Sequence, residues 1–425
     1  MFVFKLKFLF KYFQDISIKI MERKLKFFYV VGLCATSYLI FKARQNSQKS
    51  KLVLLHKNSR IAKLFNLFSD NLVQSYNPTL YLLSGHIQTA LLEFINFGIS
   101  MFRNILNIYT FHYEREIFKL SDNGTIAIDH CLTSSSSIRK NDQILLVLPG
   151  YTSSSEDYYI KSFVESLVDD FEVKVMHMRG IGIKLSTPKM MSWDSFKDLE
   201  EYLKHLGNIY PDKKIYCVGF SFGGMLLARY LGTRGEDVPK NLIAGAGICY
   251  PPHMGITANF TEKNYGGIYS MICTRNLRKI FNENVDVIFN EEICPKSILI
   301  DKDKIIQEIQ NAKFVREFDN AYTTRFLEIE NANEYYEKSD LKDLFANISK
   351  PFLSVFTIDD PIIPFDTVPL KTMENNKNMV TLVNNNGGHL AFFSGLIPER
   401  WISLPVKTFM KTANYLVDHD HSEII

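Results

Sequence analysis

The chain has 425 residues, 46% of them hydrophobic and 13% aromatic, with a formal net charge of +3. This is ample apolar material for a large core, in one big domain with extensions or in two. So mild a charge, with no basic cluster carrying interleaved aromatics beyond the N-terminal segment, excludes a nucleic-acid partner. The six cysteines, Cys34, Cys131, Cys217, Cys249, Cys273 and Cys294, form no CxxC pair, so neither a zinc site nor a dense disulfide framework is indicated, and no organic cofactor either.

Residues 1–60 interleave basic residues with aromatics, and residues 27–41 (FFYVVGLCATSYLIF) run without a charge. Fifteen helical residues reach about 22 Å, short of a hydrocarbon core of roughly 30 Å. Extending to residues 25–43, with Lys26 and Lys42 snorkelling, brings the span close to sufficient, so a single membrane anchor is expected there. Basic residues flank both sides, which leaves the orientation open, and Met21 offers an alternative start. Residues 61–112 read as a linker and an N-terminal extension of the domain that follows.

From residue 113 the pattern changes. Residues 113–120 and 125–133 read as a hairpin around Asp122-Asn123-Gly124. An apolar strand at 144–148 ends in Pro149-Gly150, and a helix at 158–169, a strand at 172–178, a helix at 193–206 and strands at 214–218 and 242–249 follow. Alternating strands and helices predict an α/β domain, 113–418, with a mostly parallel sheet covered by helices on both faces. Residues 253–340 are helical in pattern, including 268–281 and 301–316, and are expected to form a cap insertion. Strands resume at 351–357 and 379–383.

One serine stands out. Gly219-Phe220-Ser221-Phe222-Gly223 follows the strand at 214–218 and precedes the helical run 225–231, the layout of a nucleophile elbow. A serine hydroxyl needs an imidazole to take its proton and a carboxylate to orient that imidazole. Both follow in the required order: Asp359-Asp360-Pro361 after the strand at 351–357, then Gly387-Gly388-His389 after the strand at 379–383. Many enzymes with such an elbow carry the acid four residues before a proline, as Asp360 stands before Pro364, so Asp360 is assigned as the acid and Asp359 is left to hydrogen-bond the loop. Backbone N–H groups of Phe222 and Tyr151 are expected to form the oxyanion hole. The sequons at Asn123, Asn259 and Asn347 matter only if the domain is luminal.

With these residues in place, the chain resembles the alpha/beta hydrolases of the abhydrolase domain-containing 1 and 3 type, over about residues 76–402. Gly85-His86-Ile87-Gln88-Thr89 looks like that family's GHxQT signature, and Asp122-Asn123-Gly124 resembles its DGG-type hairpin. Met178-Arg179-Gly180, Tyr335-Tyr336-Glu337-Lys338-Ser339 and the elbow, acid and histidine segments complete the series. The resemblance implies the alpha/beta-hydrolase fold, an N-terminal single-pass anchor in the endoplasmic reticulum or another endomembrane, and action on lipid esters by a Ser221/Asp360/His389 triad. It departs from the family at Ile128-Asp129-His130, where relatives carry a tryptophan, and at Pro149-Gly150-Tyr151, where many are richer in glycine. His86 has no catalytic place in this reading, and the segment around it reads as structural or entrance-lining. Hydrolysis by water is the leading expectation. Acyl transfer to an alcohol by the same triad and a silent lipid-binding scaffold are the alternatives. The oligomeric state is not encoded.

Overall fold

A computed structural model describes residues 53–55, 59–69, 76–79, 81–82, 84–106, 110–133 and 142–419. Among them, nine strands form one sheet in the order β1-β9-β8-β7-β6-β4-β5-β3-β2. The strands are β1 (Val53–Leu55), β2 (Phe111–Lys119), β3 (Thr125–Thr133), β4 (Gln143–Leu148), β5 (Glu172–Met176), β6 (Lys214–Phe220), β7 (Leu242–Ile248), β8 (Phe352–Thr357) and β9 (Met379–Asn384). The six strands from β5 through β4, β6, β7 and β8 to β9 run parallel. Antiparallel partners extend both edges, β3 and β2 on one side and β1 on the other.

The largely apolar runs of the central parallel strands reflect burial on both faces. On β4, Ile144, Leu146 and Leu148 join one core cluster while Leu145 and Val147 join the other. The same alternation divides Ile215 and Cys217 from Tyr216, Val218 and Phe220 on β6, as a two-residue side-chain period requires. The first face is covered by the helices Phe196–Ile209 and Phe222–Arg234, and the second by Tyr158–Glu165 and Ser403–Asp418.

Between β7 and β8 the chain is helical, including Met254–Lys263, Ile268–Glu283, Lys302–Asn311 and Ala332–Lys338. Leu277, Phe281, Ile305, Ile309 and Tyr322 from this region share the cluster that contains Ile144 and Phe222, so it is packed into the body on that face.

Three expected elements differ in extent. The helix expected over 158–169 closes at Glu165, where the Ser166 hydroxyl donates to Phe163 O at 2.7 Å and satisfies a carbonyl that a further turn would need. The helix expected over 301–316 breaks after Asn311. Glu317 there accepts from Lys313 N at 2.6 Å and starts the new turn Val315–Phe318. Residues 61–112, expected as linker and extension, include the helices Arg60–Phe68 and Gly85–Leu106. Phe65 is buried with its ring 5.5 Å from Phe409, so this stretch belongs to the packed body. The sheet also takes in Val53–Leu55, ahead of the expected boundary at 113.

The anchor expected at 25–43 lies outside the described residues, and among the described residues no helix is long and apolar enough to cross a membrane.

Candidate active site

β6 carries the chain to Phe220, and the helix Phe222–Arg234 leaves at once, with Ser221 between them at φ 49°, ψ −118°. Few non-glycine residues occupy that region, and surrounding bonds must hold it there. Ser221 N donates to Ile248 O at 2.8 Å and Ser221 O accepts from Met225 N at 3.0 Å, tying the corner to β7 and to its own helix. The flanking glycines are sterically required. A Cβ on Gly219 would sit 2.4 Å from Gly223 C and O, and one on Gly223 would sit 2.4 Å from Leu148 O.

The three residues singled out in the sequence meet here. His389 Nε2 lies 3.0 Å from Ser221 Oγ, and His389 Nδ1 lies 2.9 Å from Asp360 Oδ2. An ionised carboxylate only accepts, so Nδ1 must carry the proton, which leaves the Nε2 lone pair for the serine hydroxyl. Asp360 Oδ1 accepts from Ile362 N at 2.8 Å and Ile363 N at 2.9 Å, which fixes the carboxylate independently of the histidine. Asp360 and His389 are both buried, which shields the hydrogen-bond chain from competing water.

Asp359 serves the other side of the histidine loop. Its Oδ1 accepts from Gly388 N at 2.9 Å, and burial pushes its carboxyl up to about 6. Residues 387–392 include four with positive φ: Gly387, Gly388, Leu390 and Phe392. No ladder supports such a backbone; Phe392 N donates to Gly387 O at 3.0 Å, and side chains supply further bonds. Thr357 Oγ1 donates to Gly388 O at 2.9 Å, Thr89 Oγ1 accepts from His389 N at 2.8 Å, and Gln88 Oε1 accepts from Phe393 N at 3.2 Å. Arg400 donates to Leu390 O at 2.8 Å and also to Tyr159 O.

Tyr151 and Phe222 are neighbours, with ring centroids 4.8 Å apart. A Cβ on Gly150 would fall 3.4 Å from Ser221 Cβ, so the loop after β4 lies beside the serine. Gly150 N is engaged by the Tyr159 hydroxyl at 2.8 Å. The Phe222 amide is the first of its helix and has no intrahelical acceptor. The amides of Tyr151 and Phe222 are the two expected from the sequence to serve an oxygen developing over Ser221.

Sequence reasoning treated Gly85-His86-Ile87-Gln88-Thr89 as structural or entrance-lining. Its side chains reach the histidine loop through Gln88 and Thr89, while His86 turns toward the helical region, 2.9 Å from the Tyr269 hydroxyl with the Tyr265 ring 3.8 Å away. Partial burial lowers the His86 imidazole below its ordinary value. Arg400 and Tyr159 were also missed, since neither falls in a recognisable motif. Among the described residues, no grouping of His, Cys, Asp and Glu could hold a metal ion.

Residues 143–396 match the family model described as the alpha/beta hydrolase fold. Among curated proteins, the chain is 25% identical over 358 residues to phospholipase ABHD3 of Homo sapiens, covering 82% of this chain and 80% of that protein. It is 25% identical over 399 residues to a monoacylglycerol lipase of Saccharomyces cerevisiae, covering 84% and 85%. Medium-chain fatty acid ethyl ester synthase/esterase 2 of the same yeast is 25% identical over 390 residues, covering 76% and 85%.

Proposed function

The chain belongs to the alpha/beta hydrolase fold family, and from that premise we propose that it is a serine hydrolase of carboxylic esters whose substrates are lipid esters. The observation that carries this reading is the continuous chain Ser221 Oγ, His389 Nε2, His389 Nδ1, Asp360 Oδ2, with links of 3.0 and 2.9 Å.

In the proposed reaction Ser221 Oγ attacks the acyl carbonyl carbon as its proton passes to His389 Nε2. The carbonyl oxygen becomes an oxyanion held by the Tyr151 and Phe222 amides, and the Asp360 carboxylate stabilises the imidazolium. Collapse breaks the ester C–O bond, and the proton on Nε2 goes to the departing alcohol. Water then repeats the attack on the acyl-serine: its proton goes to Nε2, the acid leaves, and Ser221 Oγ recovers its proton. The names of the relatives support a lipid ester: a phospholipase and a monoacylglycerol lipase. The uncharged run at 27–41 supports attachment to a membrane by a single N-terminal span.

A second reading replaces water with an alcohol in the deacylation step. The name of the yeast ester synthase/esterase supports it.

The test is labelling of the full-length protein in membranes with a fluorophosphonate, comparing wild type with Ser221→Ala and His389→Ala. Labelling lost in both variants is the expected result, and a folded wild type that does not label overturns the proposal in favour of a lipid-binding scaffold. Product analysis with and without ethanol separates hydrolysis from transfer, and resistance to alkaline extraction tests the span.

A further inference from the structure

The helix Gly85–Leu106 lies outside the stretch that matches the family model, yet its first turn enters the site. Gly85 is pressed against the acid turn, where a Cβ would sit 1.9 Å from Asp359 O. It is pressed equally against the histidine loop: a Cβ on Gly388 would sit 2.4 Å from Gly85 O and 2.7 Å from Thr89 Oγ1. The same turn therefore touches the loop bearing the acid and the loop bearing the base.

Thr89 is buried, and its hydroxyl makes two bonds. Oγ1 donates to Gly85 O at 2.7 Å and accepts from His389 N at 2.8 Å. The second bond holds the main chain of the very residue whose ring bridges Ser221 and Asp360. It grips that residue between Gly388 and Leu390, both at positive φ, where no strand or helix ladder can fix it.

We propose that Thr89 is a positioning residue for the Ser221 reaction: its hydroxyl fixes the His389 backbone so that the imidazole spans the serine and the carboxylate. The inference rests on the serine-hydrolase reading above. Threonine is suited to the task because a hydroxyl supplies one donor and an acceptor from a single small group. Valine has the same shape and can do neither, so Thr89→Val leaves the His389 N–H buried without an acceptor, and the loop relaxes to find one. Thr89→Ser keeps both bonds.

The experiment compares wild type, Thr89→Val and Thr89→Ser as full-length membrane protein. Three quantities are followed: the second-order rate of fluorophosphonate labelling, kcat and KM on a short-chain ester, and amide hydrogen exchange of the peptide containing His389. The expected result for Thr89→Val is a labelling rate and kcat lower by roughly 10- to 100-fold, the scale of small misplacements in an active site. KM should change by less than about 2-fold and exchange at His389 should be faster, because substrate contacts remain while the loop loosens. Thr89→Ser is expected to stay near wild type.

A folded Thr89→Val that labels at the wild-type rate overturns the inference, and so does a Thr89→Ser as slow as Thr89→Val, since the methyl rather than the hydroxyl would then matter. If Thr89→Val does not fold, Thr89→Cys replaces it. Its weakly accepting sulfur must slow labelling while Thr89→Ser does not, and equal rates overturn the inference. Failure of the wild type to label counts against the hydrolase reading itself, so the two failures are distinct.

Discussion

Asp359 and Asp360 are adjacent in the chain, and their carboxylates hold two adjacent residues of the histidine loop. Asp360 Oδ2 is 2.9 Å from the His389 ring at Nδ1, while Asp359 Oδ1 accepts from Gly388 N at 2.9 Å. One carboxylate orients the imidazole and the other orients the peptide that presents it.

Amide replacements should therefore separate the pair. Asp360→Asn offers Nδ1 no ionised acceptor and favours the wrong tautomer, so kcat should fall by about 10⁴-fold, the scale seen for the equivalent change in a serine protease. Asp359→Asn can still accept from Gly388 N, and its kcat should stay within roughly 10-fold of wild type. Ester hydrolysis by the two purified variants decides this, and equal losses would reverse the assignment.

Burial pushes the carboxyls of Asp359 and Asp319 each up to about 6, above the ordinary carboxylate range. Between about pH 4 and 6 the folded state thus retains protons that the unfolded chain releases, and the stability these groups contribute falls as pH rises through that window. Relative to Asp359→Asn, wild type should gain melting temperature as pH drops from 7 to 5. The same holds relative to Asp319→Asn. Melting curves that shift in parallel for wild type and variant would refute it.

The elbow tolerates no side chain at Gly219, because the atoms within 2.5 Å of a new Cβ are main-chain atoms of Gly223 and Gly224. Gly219→Ala should lose about 2–3 kcal/mol and most labelling of Ser221, since strand and helix must separate to admit the methyl. Chemical denaturation together with probe labelling measures both effects.

Asp129 of β3 accepts from Arg115 Nε and Nη2, each at 2.7 Å, and from Ser155 Oγ, with His177 Nε2 2.9 Å away. Burial alone would raise its carboxyl, but the bonds from Arg115, His177 and Ser155 outweigh that and hold it well below the usual range. Its contribution is therefore complete above about pH 4 and fades as acid protonates it. Asp129→Ala should cost about 2 kcal/mol at pH 7, because the buried Ser155 hydroxyl and the Arg115 guanidinium lose their acceptor. The difference from wild type should shrink as the pH falls below 4, which denaturation at several pH values would reveal.

The elbow, Asp360 and His389 were legible because each is announced locally, by an apolar strand followed by a glycine or acidic turn, and chain order did the rest. The parallel sheet was legible for the same reason. Thr89 was not, because its partner is 300 positions away and a threonine one turn into a helix carries no local sign of what it bonds. Arg400 escaped for a related reason: it follows an exposed turn, and only the folded loop brings it to Leu390 O and Tyr159 O. The broken helix after Asn311 shows how an acidic residue, Glu317, can overrule an amphipathic period by restarting a turn.

The strand order has a further consequence for the integrity of the protein. Both outermost positions of the sheet are filled from outside residues 143–396: β1 covers β9, and the β2–β3 hairpin covers β5. Cutting the chain back to that stretch would spare Ser221, Asp360 and His389 but bare β5 and the largely apolar β9, leaving two strand edges with unpaired N–H and C=O groups. Such margins recruit other chains. A protease nick that releases the upstream segments would therefore end not in a smaller enzyme but in self-association.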